Sequence, residues 1–521
     1  MGRVTTDPST EAAANAAAHP LNGVSLTDRG EVFVAFPGEG KTSFGEFLVG
    51  QLAPQVDLVF PYNLNPLQVT TRNNNSGSST TSNSMAQLST GAAANSSSHL
   101  VSNKRAKYSA GMGLKARFTA MFTTGVADSS QVAGVGDADQ GFFFGYNGTS
   151  FGILHRYGGA REVRTLTVTT ASTTAENITV TLDGNADATV AVTNTGDTTL
   201  TANEIAAHDY SDLGPGWTAT AVGSTVVFVS WSASAQTGTY SIAGTTVVGS
   251  FAQTLAGVAP TETWVPQASW NGTDILDGNG TSGVTLDPTQ LNVFQIGVQY
   301  LGAGAIRFFM ERPDTGEFIL VHTLDWANQN TRPTLDNPTL GFYLAATNVA
   351  NTSDLTVSSA SAAIFIEGRD DNRGLKRAAG GSLTLGATSA ETPIFSIRLK
   401  EVFQGRINGG IIKGNYLMAS VEHTKPCAIN VYANATLTGA SFSDLQAGAS
   451  SAEVDTAATA FTGGILIFQL FLGKTGNVVV DLKDDLSAGE FNPGTTITFT
   501  LAPTSGNAAE GNVSVNFTEK L

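Results

Sequence analysis

The chain has 521 residues, with 27 Lys plus Arg against 43 Asp plus Glu, a formal net charge of −16. Only 13% of residues are charged and 57 are glycine, which excludes a coiled coil or helical bundle built on Glu, Lys, Arg and Leu. The acidic balance argues against nucleic-acid binding, since such a chain repels phosphate. At ~150 residues per domain the length allows three or four units. A single cysteine, Cys427, rules out an internal disulfide framework and a cysteine-rich zinc site. There is no basic-then-apolar signal peptide and no apolar run long enough for a membrane helix, so no membrane insertion is expected.

Residues 1–30 read as an N-terminal arm, alanine-rich over Glu11 to His19 and without an amphipathic face. Such an arm is expected to become ordered against a neighbouring subunit. A strand over Glu31 to Phe36 follows, then a short helix face at Phe44, Phe47 and Leu48, and a strand over Val56 to Tyr62. Residues 71–103 are almost all Ser, Thr, Asn, Gly and Ala. They read as surface strands, because Met85, Leu88, Leu100 and Val101 recur where inward anchors are needed. From Leu114 to Phe122 the alternation is plain, with Leu114, Ala116, Phe118, Ala120 and Phe122 on one face. Gly141 to Tyr146 and Phe151 to Tyr157 flank Asn147-Gly148, a strong hairpin signal. The same texture returns in strands at Val293 to Tyr300, Ile306 to Met310, Phe318 to His322, Leu340 to Ala345 and Leu355 to Ile366.

Residues 162–262 differ in texture, being rich in Thr, Val and Ala. Strands at Leu166 to Thr170 and Ile178 to Leu182 precede a capping box, Thr201 with Glu204, that opens a short helix through Ile205 to Ala207. Strands at Trp217 to Ala221 and Val226 to Trp231 complete a small α+β module. It is inserted into a hairpin of the larger sandwich and expected to project from it. Residues 369–379 read as a linker, and 380–521 as a C-terminal sandwich with strands every ~8–12 residues. Its longest apolar run, Ile465 to Leu472, reads as a buried strand. The fold class is therefore mostly β: tandem β-sandwich or jelly-roll-like domains, the first formed by 31–161 plus 263–368 and carrying the module.

No enzyme-like string has the context its chemistry needs. Gly38-Glu39-Gly40-Lys41-Thr42 resembles the end of a phosphate loop, but the first glycine of that pattern is replaced by Ala35. Gly148-Thr149-Ser150-Phe151-Gly152 spells a nucleophile elbow, yet Ser150 follows a hairpin turn and His155 lies on the same strand. No catalytic residue, cofactor or metal site is expected. Asp137 with Asp139, and Asp274 with Asp277, lie in Gly-rich turns that offer oxygen ligands without the regular spacing of a calcium loop. Tyr157, Trp270 and Trp326 are the candidate sugar-stacking aromatics, because Asn, Asp or Gly lies near each.

The run Asn177-Ile178-Thr179-Val180-Thr181-Leu182-Asp183-Gly184, the helix near Ile205, Gly216-Trp217-Thr218-Ala219-Thr220-Ala221 and Ser224-Thr225-Val226-Val227-Phe228 resemble small modules inserted in tailed-phage sheath and tube proteins. The flanking halves resemble the concanavalin-like sandwiches of phage tail and fibre proteins. That resemblance rests on Tyr108, Gly111, Gly113, Arg117-Phe118-Thr119, Gly141 to Tyr146, Val293 to Ile296 and Gln299 to Gly302. The C-terminal unit matches no named family. The resemblance implies a non-enzymatic virion structural protein of a tailed phage, made in the host cytoplasm. It would be a tail or tail-appendage component (fibre, baseplate or sheath-like) for assembly and host attachment. Its partners would be copies of itself, other virion proteins and a host cell-surface glycan. A head-decoration or capsid-fibre protein is the alternative, and a free-standing glycan-binding protein or glycan hydrolase the rival.

Overall fold

The computed structural model describes residues 52–368, 374–386, 390–422, 426–473, 475–482, 490–503 and 509–521, with the backbone of two short strands before them. Those two, Val24–Leu26 and Val32–Val34, pair antiparallel. The remainder of the arm, the Gly38 to Thr42 string, the helix face near Phe44 and residues 369–373 lie outside the described residues.

Two large antiparallel sheets make the first sandwich. One has eight strands, ordered Thr261–Pro266, Ser150–Tyr157, Gly141–Asn147, Ser129–Gly136, Thr339–Asn348, Ser97–Ser102 and Val69–Asn74, with Ala106–Lys107 also on Thr339–Asn348. The other has nine and centres on Leu114–Phe122, which pairs with Asn292–Val298, Thr356–Ser359 and Ser361–Glu367. The period-two pattern holds: Leu114, Ala116, Phe118, Ala120 and Phe122 are all buried. They meet Phe294 and Phe308 of the same sheet and Phe142, Phe144 and Phe342 of the facing one in one core. The Ser/Thr-rich 71–103 stretch does form strands, and Leu88 and Leu100 anchor them with no exposure.

Between Ser150–Tyr157 and Thr261–Pro266, which pair with each other, the chain makes a four-stranded sheet, a three-stranded sheet and one helix. Their core is their own, built on Leu166, Ile178, Val180, Ile205, Tyr210, Trp217 and Phe228. The strand Thr261–Pro266 belongs to the sandwich, so the outer boundary falls slightly before residue 262. The helix also starts earlier than its sequence signal, spanning Thr198–Ala207. Its N-cap is Asp197, whose carboxylate accepts the N–H of Thr199 at 2.7 Å and of Leu200 at 3.0 Å. Glu204 does not close a capping box. It turns instead to the backbone N–H of Thr193 at 2.9 Å. Asp197→Ala is expected to cost about 1 kcal/mol, read as faster amide exchange in the first helical turn.

The region does not project freely. Trp231 packs with Trp264 against Val101, Val132, Phe143, Leu154 and Tyr343 on the outer face of the eight-stranded sheet, and the Arg72 guanidinium lies 5.1 Å from the Trp231 ring. On another side Asn203 Nδ2 donates to Ala440 O at 2.8 Å, reaching the C-terminal unit.

That unit is a second sandwich of five and six strands with a separate core on Phe395, Ile397, Ile429, Phe499, Leu501 and Phe517. Its first strand is Leu375–Leu385, paired along its length with Ala509–Lys520. Residues 375–379, expected in a linker, are therefore strand. The apolar run Ile465–Leu472 is a strand but not a buried one. Among the described residues it is the last strand of its sheet, paired with Cys427–Ala433, and Phe471 is 67% and Leu466 48% exposed.

Candidate functional site

A cleft of about 580 Å³ lies where the first sandwich meets the C-terminal unit. One wall is the turn Gly136 to Gly141. Asp137 Oδ1 accepts the N–H groups of Asp139 at 2.9 Å and Gln140 at 3.1 Å, which folds the turn back on itself. Gly136 (φ +147°) and Gly141 (φ +150°) close it, in a region that side chains avoid.

Two ion pairs line this wall. Arg105 Nη1 lies 3.1 Å from Asp137 Oδ2, and Arg161 Nε lies 3.1 Å from Asp139 Oδ2. Asp139 is only 8% exposed and its Oδ1 has no hydrogen-bond partner. Burial pushes its carboxyl up to about 6, against the downward pull of Arg161; the Asp137 charge adds to the rise. From its ordinary value of 3.8, the folded chain therefore retains a proton that the unfolded chain has lost between about pH 4 and 6. The contribution of Asp139 to stability falls as pH rises through that window. Asp139→Asn is expected to remove this slope from the melting temperature against pH; an unchanged slope would show that Asp139 is not its source.

The other wall is a C-terminal loop. Gly409 O accepts from Lys107 Nζ at 3.3 Å and from Thr339 Oγ1 at 3.0 Å. A Cβ on Gly409 would lie 1.9 Å from Asn337 Nδ2, so any larger residue would displace the Asn337 amide. Burial, with Lys520 nearby, lowers the Lys107 amine to about 8. Chemically the cleft presents paired charges and amide groups. Its described lining contains no Ser, Cys or His. Asp139, whose carboxyl is raised toward the range of a general acid, has its free oxygen closed to solvent.

Of the candidate aromatics, Tyr157 and Trp326 meet edge to face with ring centroids 5.7 Å apart, while Trp270 lies in the main core. Trp270 is 6% exposed; it packs in the main core against Phe144, and its Nε1 donates to Val265 O at 3.1 Å. Trp326 is 7% exposed, and its Nε1 donates to Arg332 O. Both are core residues rather than exposed stacking surfaces, because each indole finds a backbone carbonyl inside the fold. Tyr157 is half-buried and already engaged by the Arg332 guanidinium at 4.6 Å and the His155 ring at 4.7 Å.

The remaining strings fall to ordinary roles. His155 Nε2 meets Thr334 O at 2.8 Å, and burial lowers its imidazole to about 4, so it stays neutral. Ser150 sits exposed beside the Asn147-Gly148 turn. His208, adjacent to Asp209 in sequence, pairs instead with Asp187 at 2.7 Å. Asp274 accepts the N–H of Leu276 at 2.8 Å and of Ser282 at 2.7 Å, which closes its own loop. Among the described residues no group of three or more His, Cys, Asp or Glu could hold a metal ion, and no helix is long and apolar enough to cross a membrane. Sequence reasoning missed Arg105, Arg161 and Asp139 as a set. The only signal was scarcity: in a chain 13% charged, each buried charge needs a partner.

No protein-family model matches the chain, and no curated protein matches it by sequence. Among solved structures it is similar to arcelin-5, a lectin-like defence protein from Phaseolus vulgaris, at 8% identity and a TM-score of 0.23, over 61% of this chain and 100% of that one. It is also similar to a lectin from Bauhinia forficata at 11% identity and a TM-score of 0.24, over 60% and 97%. The lectin I-B4 of Griffonia simplicifolia stands at 14% identity and 0.22, over 60% and 99%.

Proposed function

We propose that this chain is a non-enzymatic structural component of a tailed-phage particle, in the tail or a tail appendage, present in several copies. The phage assignment comes from the sequence resemblance. The structural role is supported chiefly by one observation: buried and half-buried polar groups act as joints between the three folded regions. Arg398, paired with Glu453 at 2.9 Å, also donates to Ala221 O of the central region. Lys413 Nζ donates to Gln55 Oε1 of the first sandwich at 3.1 Å, and Lys107 and Thr339 reach Gly409 across the cleft. The C-terminal unit thus bonds to both other regions, an arrangement suited to carrying load. A free-standing sugar-binding role is less well supported, because Tyr157, Trp270 and Trp326 offer no unengaged ring.

The test is a purified particle. Mass spectrometry should find this chain in several copies per particle, and an antibody against it should decorate the tail in electron micrographs. Absence from particles, or turnover of a polysaccharide by the pure protein, would overturn the proposal.

A further inference from the structure

The carboxylates of the side chains that line the cleft between the first sandwich and the C-terminal unit are all committed. Asp137 pairs with Arg105 and Asp139 with Arg161, and Asp336 pairs with Arg332 at 2.9 Å. Two lining cations are left over. Lys107 Nζ donates only to neutral groups, the Thr339 hydroxyl and the Gly409 carbonyl. Arg406 is exposed and, among the described residues, its side chain has no hydrogen-bond or ion-pair partner. The carboxylate of Leu521, which also borders the cleft, pairs with neither. Burial, with Lys520 nearby, already weakens the hold of Lys107 on its proton, as expected of an amine without a counter-charge.

The uncommitted hydrogen-bonding groups are donors as well. Asn337 Oδ1 accepts from Thr339 Oγ1 at 2.9 Å, while its Nδ2 has no partner among the described residues. Lys107 Nζ reaches the same Thr339 Oγ1 at 3.1 Å, so the ammonium and the Asn337 amide lie within one hydroxyl's reach of each other. Neighbouring acceptors are taken: Gln140 Oε1 by the N–H groups of Asp336 and Asn337, and Asn408 Oδ1 by that of Gly410. Arg406 stands on a hairpin in which Val402–Phe403 pairs with Arg406–Ile407. Gln404 (φ +51°) and Gly405 (φ +74°) turn it, the left-handed pair of a type I′ turn. Phe403 and Ile407 of this hairpin, and Pro338 on the other wall, add half-buried apolar surface to the cleft.

We propose that this cleft binds an organic oxyanion, a carboxylate or phosphate carried on a sugar-sized body, with Lys107, Asn337 and Arg406 as its donors. The surplus of cations and N–H groups selects an anion, and an arginine fork beside an ammonium suits either oxyanion. The volume selects the body. About 580 Å³ falls within the ~300–1,000 Å³ of small-molecule sites, and a bare ion would leave the apolar lining uncovered. Binding is a property of the purified chain, so its failure would leave the particle assignment standing.

The test is isothermal titration calorimetry of the full chain with glucuronate and with glucose-6-phosphate. At least one should bind, glucose should not, and inorganic phosphate should bind more weakly than the acid that does. Arg406→Gln removes a side chain without a partner, so it should weaken binding by about tenfold or more and leave the melting temperature unchanged. Asn337→Asp keeps an acceptor for Thr339 and sets a like charge against the ligand, so it should abolish binding. Arg312→Gln, which removes a cation outside the cleft lining, should change nothing. Binding of neither acid, equal binding of glucose, equal binding of inorganic phosphate, or cleft variants that bind like the wild type would overturn the proposal.

Discussion

Phe144→Ala is expected to destabilise the first sandwich by about 3–5 kcal/mol, the range for emptying a large aromatic site in a packed core. Phe144 has no exposed surface. Its ring centroid lies 4.6 Å from Phe294, 5.5 Å from Phe308 and 6.1 Å from Trp270. These rings come from both sheets, so the cavity would open between layers that the backbone ladders hold apart, and collapse would be partial. The Trp270 indole reports the event directly. Its emission should shift to the red at a lower denaturant concentration than in wild type. A loss under 1 kcal/mol would mean that the neighbouring rings can repack into the space.

Glu453→Ala should be comparably severe through different physics. Arg398 is 8% and Glu453 2% exposed, and their groups meet at 2.9 Å. The Arg398 guanidinium also lies 3.7 Å from the Phe442 ring and donates to Ala221 O. Burial already lowers the affinity of Arg398 for its proton, with Glu453 opposing that shift. Removing Glu453 takes away the carboxylate bonded to this desolvated cation and leaves Glu401 and Asp455 to act on it only through their charge, at a cost of about 3–5 kcal/mol. Replacing the pair together, Glu453→Leu with Arg398→Met, should recover most of that loss, because no unpaired charge is then buried. Hydrogen exchange in Thr392–Leu399 and Ala452–Asp455 is the measurement. Equal protection in the single and double variants would show that packing, not charge, holds this joint.

The two substitutions probe parts of the fold that were unequally legible beforehand. The core at Phe144 was visible in Gly141 to Tyr146, because a strand beside an Asn-Gly turn must place its aromatics on a sheet. The joint at Arg398 was not visible. Its partners Glu453 and Ala221 lie 55 and 177 residues away, and no local pattern encodes such a meeting. The same holds for Asp139 and Arg161, whose pairing depends on the turn Gly136 to Gly141 facing the end of Ser150–Tyr157. At the helix the sequence signal was real but misplaced. Asp197 and Thr201 both suit a cap, and the choice of Asp197 followed from where the preceding strand delivered the chain.

By itself the sequence determined the mostly β class, the strand periodicity from Leu114 to Phe122, the hairpin at Asn147-Gly148 and the burial of its alternating anchors. These depend on neighbours within a few residues, where side-chain period and turn geometry act directly. Tertiary structure alone decided which apolar residues face water. Trp270, set among polar neighbours in sequence, is enclosed because the turn Gln267–Ser269 after the strand Thr261–Pro266 carries it into the main core. Ile465–Leu472, nearly all apolar, lies open because it is the last strand of its sheet and no described strand lies beyond it. Burial is a property of position in the sheet, and that position is set by pairings with Cys427–Ala433 and beyond, which composition does not record.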